Sequence, residues 1–333
     1  MQRILPVSLL LIFCGVLIST PASSEGPTPG FNTLIPESIL TPDSVETSIG
    51  TLNFFDGFPD EETVSKVYDN LDRTRATQAF LDMVPLASIE GLRRGMESVG
   101  VDASHKILLY NDLMDSNSLF LTGNTDTIYA LGMLDLQRDG ATVVEIPSGA
   151  GPGTVNDAYF RFVIDMGAPG PDRGKGGKYL ILPPGYEGAV PEGYFSVESP
   201  TYVNWLPLRG FLKDGKTDAA VDMWTKGLKI YPLSKKDNPP ELEVINGTGI
   251  IMNTVHANDE TFFEEIAEVI QREPLGFLDD ELRGNLASIG IEKGKEFAPD
   301  ARMRAILKDG VAIANATARA LAFRPRSETI YIY

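Results

Sequence analysis

The sequence predicts an α+β fold in which an antiparallel β-sandwich is flanked by an N-terminal and a C-terminal helical segment. Three observations support this prediction. Apolar residues recur at helical spacing over residues 60–100, in short strand-like runs separated by turn residues over 101–212, and mainly at helical spacing again over 213–326.

Residues 1–24 have the three parts of an export signal. Arg3 supplies the basic start, Ile4 to Ile18 form an apolar run, and small residues ending at Ser24 offer a cleavage site. The run is interrupted and shorter than the roughly 20 apolar residues that span a bilayer, so an uncleaved anchor is the less favoured alternative. We therefore expect an exported protein, periplasmic or secreted, without stable membrane insertion after signal cleavage.

The composition narrows the classes of partner. The only cysteine, Cys14, lies in the signal, so stability should come from a core that a chain of this length can build without disulfides. The net charge is −17, with 46 acidic against 29 basic residues. This balance disfavours nucleic acid and anionic lipid as partners.

The region before the strands is predicted to contain an arm followed by helices. Residues 25–59 are rich in Pro, Gly, Ser and Thr and predict an extended arm or linker. Pro85 is expected to kink or divide the helical segment 60–100. One apolar stripe consists of Val64, Val67, Tyr68 and Leu71, and a second of Phe80, Met83, Val84, Ala87, Leu92 and Met96.

Six apolar runs predict the strands of the sandwich, and we expect them to pair antiparallel. The Asp139-Gly140 pair predicts a tight hairpin turn within 136–142. The predicted strands are Ile107–Tyr110, Leu119–Leu121, Ile128–Leu136, Val143–Ile146, Tyr159–Ile164 and Tyr179–Leu182.

The C-terminal part is predicted to be mainly helical. Helices are expected over 219–230, from Asp259 onwards with an apolar face of phenylalanines and isoleucines, and over 300–323. Residues 327–333 alternate again and predict the start of a strand whose neighbours are missing, which an oligomer or a partner would cover.

Several common chemistries lack support in the sequence. The glycine loops 148–153 and 170–175 precede predicted strands, whereas dinucleotide and phosphate loops require a helix there. The two histidines, His105 and His256, are not spaced as metal ligands, and no G-x-S-x-G nucleophile motif occurs. We therefore predict no cofactor and no metal, although a carboxylate-rich calcium site remains open.

Two stretches place polar residues where a sheet would otherwise carry apolar ones. In 157–165, strand alternation puts Arg161 and Asp165 on a charged face, where Arg161 can bind a carboxylate of a neighbour or a ligand. In 121–136, Asn124 and Asp126 either stabilise a turn or face a cavity. The candidate ligand-binding residues are Asn124, Asp126, Tyr129, Asp135, Arg161 and Asp165.

These stretches resemble a known family. Asn124-Thr-Asp-Thr-Ile-Tyr129 followed by Leu134-Asp-Leu136 is similar to the N-x-D-T-x-Y…LDL signature of the domain of unknown function 1254 (DUF1254) family. Further similar motifs lie at 159–165, 176–183, Ser199 to Arg209, 286–291 and 294–297.

The resemblance implies an architecture rather than a reaction. It predicts an immunoglobulin-like β-sandwich, a helical segment and, in many members, a C-terminal jelly-roll domain called DUF1214. This chain stops at Tyr333, about where that domain would begin. The expectation is a natural short form, a split or truncated gene, or a partner that supplies the missing sheet.

Three functions were compatible with these observations. The first is binding of a small polar ligand or carbohydrate on the sandwich, with Trp205, Tyr159 and Tyr202 as stacking faces for a sugar. The second is hydrolysis by paired carboxylates, Asp126 and Asp165. The third is an envelope or assembly component. The residues alone do not decide whether the protein is an enzyme.

Overall fold

A computed structural model describes residues 33–120 and 123–326, which divide at Thr63 into two compact units. The predicted signal and the predicted strand 327–333 lie outside these residues. Within the described ranges, no helix has the length and apolar character needed to cross a membrane.

The first unit contains a small antiparallel sheet where the sequence predicted an arm. Its strands are β1 (Ser44–Thr47), β2 (Gly50–Phe55) and β3 (Phe58–Pro59), in that order. Gly50 and Gly57 have positive φ angles of 104° and 84°, which permit the tight turns between strands. Composition alone therefore indicated the turns but not the short strands between them.

Helix α1 (Glu61–Ser98) is continuous through Pro85, so the expected division is absent. Met83, Leu86 and Ala87 around the proline are almost fully buried, and this packing offsets the lost backbone hydrogen bond. The second predicted stripe faces the core, as expected. The first stripe does not, because Tyr68 is 57% exposed and Leu71 40% exposed.

Two sheets form the β-rich part of the second unit. One has six strands in the order β13-β4-β5-β11-β7-β8, and the other has four in the order β10-β9-β6-β12. The strands are β4 (Lys106–Leu109), β5 (Thr127–Asp135), β6 (Thr142–Ile146), β7 (Pro152–Asp157), β8 (Phe162–Gly167), β9 (Gly177–Leu182), β10 (Phe195–Glu198), β11 (Val203–Phe211), β12 (Lys229–Pro232) and β13 (Glu243–Asn246).

The architecture is mixed α+β with mostly antiparallel sheets. The β4–β5 and β6–β9 pairs, each between two predicted strands, are antiparallel as expected. The β9–β10 and β4–β13 pairs are parallel, and each includes a strand that the sequence did not predict. Strands β12 and β13 come from the region predicted to be mainly helical, and each adds an edge strand to one sheet. One core cluster contains residues of both sheets, including Ile128, Val144 and Leu206.

The predicted hairpin over 136–142 is absent. A short helix, α2 (Leu136–Asp139), connects β5 in the six-stranded sheet to β6 in the four-stranded sheet. The Asp135 carboxylate accepts from the Arg138 amide at 3.0 Å and caps this helix, and Gly140 ends it with φ 70°. The Asp-Gly pair thus lies at the end of a short helix that connects the two sheets.

The other predicted strand boundaries are mostly close, with one consequential shift. Phe160, assigned to a strand, has φ 62° and belongs to a turn, and β8 begins at Phe162. The Arg161 side chain therefore does not belong to the predicted charged face. Leu119 makes only an isolated bridge, to Asn253, while Leu121 lies outside the described residues.

Helices dominate the remainder of the chain. They are α3 (Asp218–Gly227), α4 (Thr261–Arg272), α5 (Asp280–Ser288) and α6 (Ala301–Phe323). Helices α1 and α6 run in the same direction, because Arg302 contacts Asp69 and Asp72 while the later Gly310 lies against Ala76.

A network of buried ions joins α1 to α4 and β11. Glu90, 1% exposed, accepts hydrogen bonds from Arg93, Arg94 and Arg272. Burial pushes the pKa of Glu90 upward, but hydrogen bonds and charges from Arg93 and Arg272 outweigh burial and hold that pKa below the ordinary glutamate value. Every charge at the centre of this network is therefore paired.

Glu273, which is fully buried, extends the network to the start of β11. Its carboxylate accepts from the Tyr202 amide at 2.6 Å and the Val203 amide at 3.2 Å, and from Arg272 at 3.3 Å. Burial raises the pKa of Glu273, and the Arg272 charge and the two amides offset this only in part.

Candidate functional site

The six predicted site residues do not converge in one place. Asn124 and Asp126 lie in the turn before β5, Asp135 caps α2, and Arg161 lies in the turn before β8. Only Tyr129 and Asp165 line a common groove on the six-stranded sheet.

The turn before β5 is organised by Asn124. Its Oδ1 accepts from the Asp126 amide at 3.0 Å, the Thr127 amide at 3.1 Å and the Thr127 hydroxyl at 2.9 Å. Asp126 is exposed and contributes its amide, while its carboxylate contacts no other described residue. The turn interpretation was therefore right, with Asn124 rather than Asp126 as the acceptor.

Asn124 also fixes the Tyr129 hydroxyl. The hydroxyl oxygen accepts from the Asn124 backbone amide at 3.1 Å and from Nδ2 at 2.9 Å. Because both contacts use the oxygen as acceptor, the hydroxyl hydrogen is left to donate elsewhere. Tyr129, only 6% exposed, thus lines the groove and keeps one hydroxyl donor.

Arg161 has a structural position. Its Nε donates to the fully buried Asp157 carboxylate at 2.6 Å, and an η nitrogen donates to the Phe277 carbonyl at 2.9 Å. Arg161 therefore binds a carboxylate, as its residue type predicted, but the carboxylate belongs to its own turn. It does not line the groove.

The groove lies on the face of the six-stranded sheet opposite the shared core. Alternation along β11 sends Leu206 and Leu208 into that core, and Trp205, Pro207 and Arg209 to the other face. We call the space of about 450 Å³ on this face the sheet groove. It is defined by Tyr129, Thr154, Asp165, Trp205, Pro207 and Arg209.

Two opposite charges face this groove without partners. Neither the Arg209 guanidinium nor the Asp165 carboxylate makes a hydrogen bond or ion pair with another residue in the described ranges. Arg209 is paired in register with Tyr129, and Asp165 with Thr154, which in turn lies beside Pro207. These registers place the Cα atoms of Arg209 and Asp165 roughly 12 Å apart.

Trp205 closes one end of the groove. It is 7% exposed, and its Nε1 atom is buried without an acceptor among the described residues. Its ring centroid lies 6.2 Å from that of Phe120 and 5.5 Å from that of Phe160. Trp205 therefore combines an apolar wall with an unsatisfied donor.

The residues predicted to stack on a sugar do not offer open ring faces to the groove. Trp205 is buried between aromatic neighbours. The Tyr159 hydroxyl donates to the Asp82 carbonyl at 2.6 Å, and the Arg161 guanidinium covers its ring at 5.5 Å. Tyr202 does not line the groove.

The paired-carboxylate hypothesis finds no geometric support. Through the strand registers, Asp165 lies in the same cross-strand row as Leu131, five residues along β5 from Asp126 and three strands away. Strand spacings therefore separate the two aspartates by roughly 20 Å, too far for joint action on one bond. In the described part of the chain, no group of three or more metal-ligating side chains is present.

Arg209 lines the groove but was not among the predicted site residues, although a signal for it exists. Strand β11 carries a single charged residue, near its end, and that cation shares its parity with Trp205. A lone arginine on a mostly buried strand marks a position to test for ligand binding.

Comparison with known proteins found one family model and a solved structure that resemble this chain. Residues 106–232 match the family model described as "Protein of unknown function (DUF1254)". The crystal structure of the VPA0106 protein from Vibrio parahaemolyticus is similar, with a TM-score of 0.52 and 18% identity. The similarity covers 75% of this chain and 59% of that one, so this chain spans less than two thirds of its structural relative. No curated protein matches.

The family match contains the sheet groove and the motifs from Asn124 to Arg209, and the structural similarity at this level of identity concerns the fold alone. Residues 106–232 of this chain therefore resemble the DUF1254 family.

Proposed function

We propose that the sheet groove binds a small organic acid whose carboxylate is held by Arg209. The observation that carries this proposal is the Arg209 guanidinium, which pairs with no described residue and faces a groove that is also lined by Tyr129. A guanidinium offers two parallel donors that match a carboxylate. A half-buried cation of this kind is stabilised when an anion replaces part of its lost hydration.

Asp165 supplies the complementary half of the recognition. A hydroxyl or ammonium group near the ligand carboxylate would donate to the Asp165 carboxylate on the opposite wall. The roughly 12 Å between the two Cα atoms leaves room for a small molecule once both side chains extend inward. Hydroxy acids and amino acids are therefore favoured over simple fatty acids.

An acid fits the groove better than a neutral sugar. Sugar sites rely on an exposed aromatic face as well as on polar side chains. Trp205 is 7% exposed, so the groove supplies the polar side chains without that face. Arg209, which pairs with no described residue, is then the main group that recognises the ligand.

The test is calorimetric titration of the purified protein with propionate, lactate and glucose. We expect lactate to bind best, and Arg209→Gln to weaken both acids roughly 30-fold because two charge-assisted hydrogen bonds are lost. Asp165→Asn should reduce the preference for lactate over propionate and leave propionate unchanged.

The matched control is Arg319→Gln, which removes the same charge from an exposed position on α6 outside the groove. Its affinities should equal those of the wild type. Equal loss in both arginine variants, or tighter binding of glucose than of lactate, contradicts the proposal.

Two finer features of the molecule also belong to this proposal. We infer that the protein is exported and acts in the periplasm or outside the cell, which the sequence of residues 1–24 supports. We also propose that the two sheets form an immunoglobulin-like sandwich, supported by their common core. Mass spectrometry of the mature N-terminus tests the first, and an experimental structure tests the second.

A further inference from the structure

A second, smaller recess lies beside the sheet groove. It has a volume of about 100 Å³ and we call it the histidine recess. It is lined by Ser88, Leu92, Phe120, Phe160, Thr254 and His256. Phe120 also lines the sheet groove, so one side chain separates the two spaces.

The separating wall is aromatic. The Phe120 ring centroid lies 6.2 Å from those of both Tyr129 and Trp205, and Phe160 meets Trp205 edge-on at 5.5 Å. Such contacts between rings are individually weak, at about 1 kcal/mol, so a ligand ring can replace them.

The backbone beside Phe120 is held by hydrogen bonds, whereas its side chain is held by ring contacts alone. Leu119 donates to the Met252 carbonyl at 2.9 Å, and its own carbonyl accepts from the Thr254 amide and hydroxyl at 3.2 Å and 2.6 Å. The phenyl ring of Phe120 is half-buried and packs against Tyr129 and Trp205. Rotation about its side-chain torsions would open the wall without moving this backbone.

His256, which lines the histidine recess, has a defined acceptor. His256 Nδ1 lies 2.8 Å from the Ala257 carbonyl oxygen, and since a carbonyl only accepts, Nδ1 holds the hydrogen. In the neutral ring, Nε2 is then an acceptor. Phe80 and Phe262 surround the imidazole edge-on, at centroid distances of 6.3 Å and 5.4 Å.

We infer that the sheet groove and the histidine recess are two compartments of one site, and that its ligand is an aromatic carboxylic acid. This inference rests on the proposed function, because Arg209 holds the carboxylate. The ligand ring displaces Phe120 and enters the recess, where a ring hydroxyl donates to His256 Nε2. Trp205, uncovered where Phe120 packs against it in the free protein, then forms the wall along which the ligand ring lies.

The chemistry of the recess favours an aromatic group over an alkyl chain. The walls that remain after Phe120 is displaced include the apolar side chains of Leu92, Phe160 and Val255, which suit an apolar ring. The His256 acceptor in the lining suits a ring that carries one donor. A phenol combines both properties.

The experiment compares three acids by calorimetric titration: propionate, 3-phenylpropionate and 3-(4-hydroxyphenyl)propionate. In the wild type we expect the phenyl group to increase affinity about tenfold and the hydroxyl group a further severalfold. His256→Phe should remove the hydroxyl gain and retain the phenyl gain.

Ser88→Met provides a second variant that fills the recess from α1 with a good helix former. It should abolish the phenyl gain and leave propionate binding unchanged, with circular dichroism confirming the fold. Phe211→Ala, an exposed phenylalanine of β11 outside both spaces, is the control and should bind all three acids as the wild type does.

The outcomes separate this inference from the proposed function. If propionate binds through Arg209 but the phenyl group adds nothing, or Ser88→Met leaves the gain intact, the two-compartment site is wrong and the proposed function stands. If none of the three acids binds, both are wrong.

Discussion

The ion network around Glu90 and the sheet groove use the same residue types in opposite ways. Glu90 is 1% exposed and accepts from three arginines, whereas Arg209 and Asp165 face open space and pair with no described residue. Charges that are fully paired hold elements together, and removing one leaves its partners unsatisfied. Charges without partners contribute little to the fold and remain able to bind a ligand.

The largest effect is expected for Glu90→Gln, which removes the buried charge at the centre of the network. The three arginines would lose their common counter-ion, and we expect a loss of about 3 kcal/mol in the free energy of unfolding, measured by urea denaturation. Glu268→Gln is the control, because Glu268 binds Arg94 from a 61% exposed position and should cost under about 1 kcal/mol. Equal effects would show that burial does not distinguish these pairs.

The same variant predicts a pH dependence. The pKa of Glu90 is lower in the folded protein than the ordinary value of 4.5. A lowered folded pKa stabilises the protein above the unfolded value and loses this contribution as pH falls through the folded value. The stability difference between wild type and Glu90→Gln should therefore be complete at neutral pH and shrink below about pH 4.5. A difference that grows on acidification contradicts the assignment.

An intermediate effect is expected in the turn before β5. Asn124→Ala removes an acceptor shared by three donors and one of the two donors to the Tyr129 hydroxyl, which should cost roughly 2 kcal/mol. Asp126→Ala, two residues away, should change stability by less than about 0.5 kcal/mol because its carboxylate is exposed. Thermal unfolding of both variants measures the contrast. A larger loss of stability in Asp126→Ala than in Asn124→Ala would show that Asp126, rather than Asn124, stabilises the turn.

The smallest effect should come from Arg209→Gln. Since Arg209 pairs with no described residue, its loss should change the free energy of unfolding by less than about 0.5 kcal/mol while it weakens acid binding. Urea denaturation without ligand checks this. A destabilisation near that of Glu90→Gln would place Arg209 among the structural charges and end the comparison.

The sequence predicted elements whose signals are local. The apolar faces of α4 and α6, the strands β4 to β6 and β9, and the end of the second stripe on α1 follow directly from periodicity. The predicted division at Pro85 was wrong, because the packing of its buried neighbours compensates for the backbone hydrogen bond that the proline removes. The predicted hairpin at 136–142 was wrong, because an Asp-Gly pair occurs at the end of a helix as well as in a hairpin turn.

The candidate site was predictable only in part. Tyr129 and Asp165 were identified because strand parity is visible in the sequence. Their convergence with Arg209 was not, since it depends on the pairing of β11 with β5 and β7, which local patterns do not specify. The role of Arg161 was also misjudged, because β8 begins three residues later than the predicted strand and Arg161 therefore lies in a turn.

The buried carboxylate of Glu273 has a consequence for the groove. It holds the two amides at the beginning of β11, the strand whose alternate side chains include Trp205 and Arg209. A slip of one residue in that strand would exchange its faces, sending Arg209 into the core and Leu208 into the open. Glu273, at the end of α4, thus helps to determine which side chains of β11 face the groove, although Glu273 itself does not line the groove.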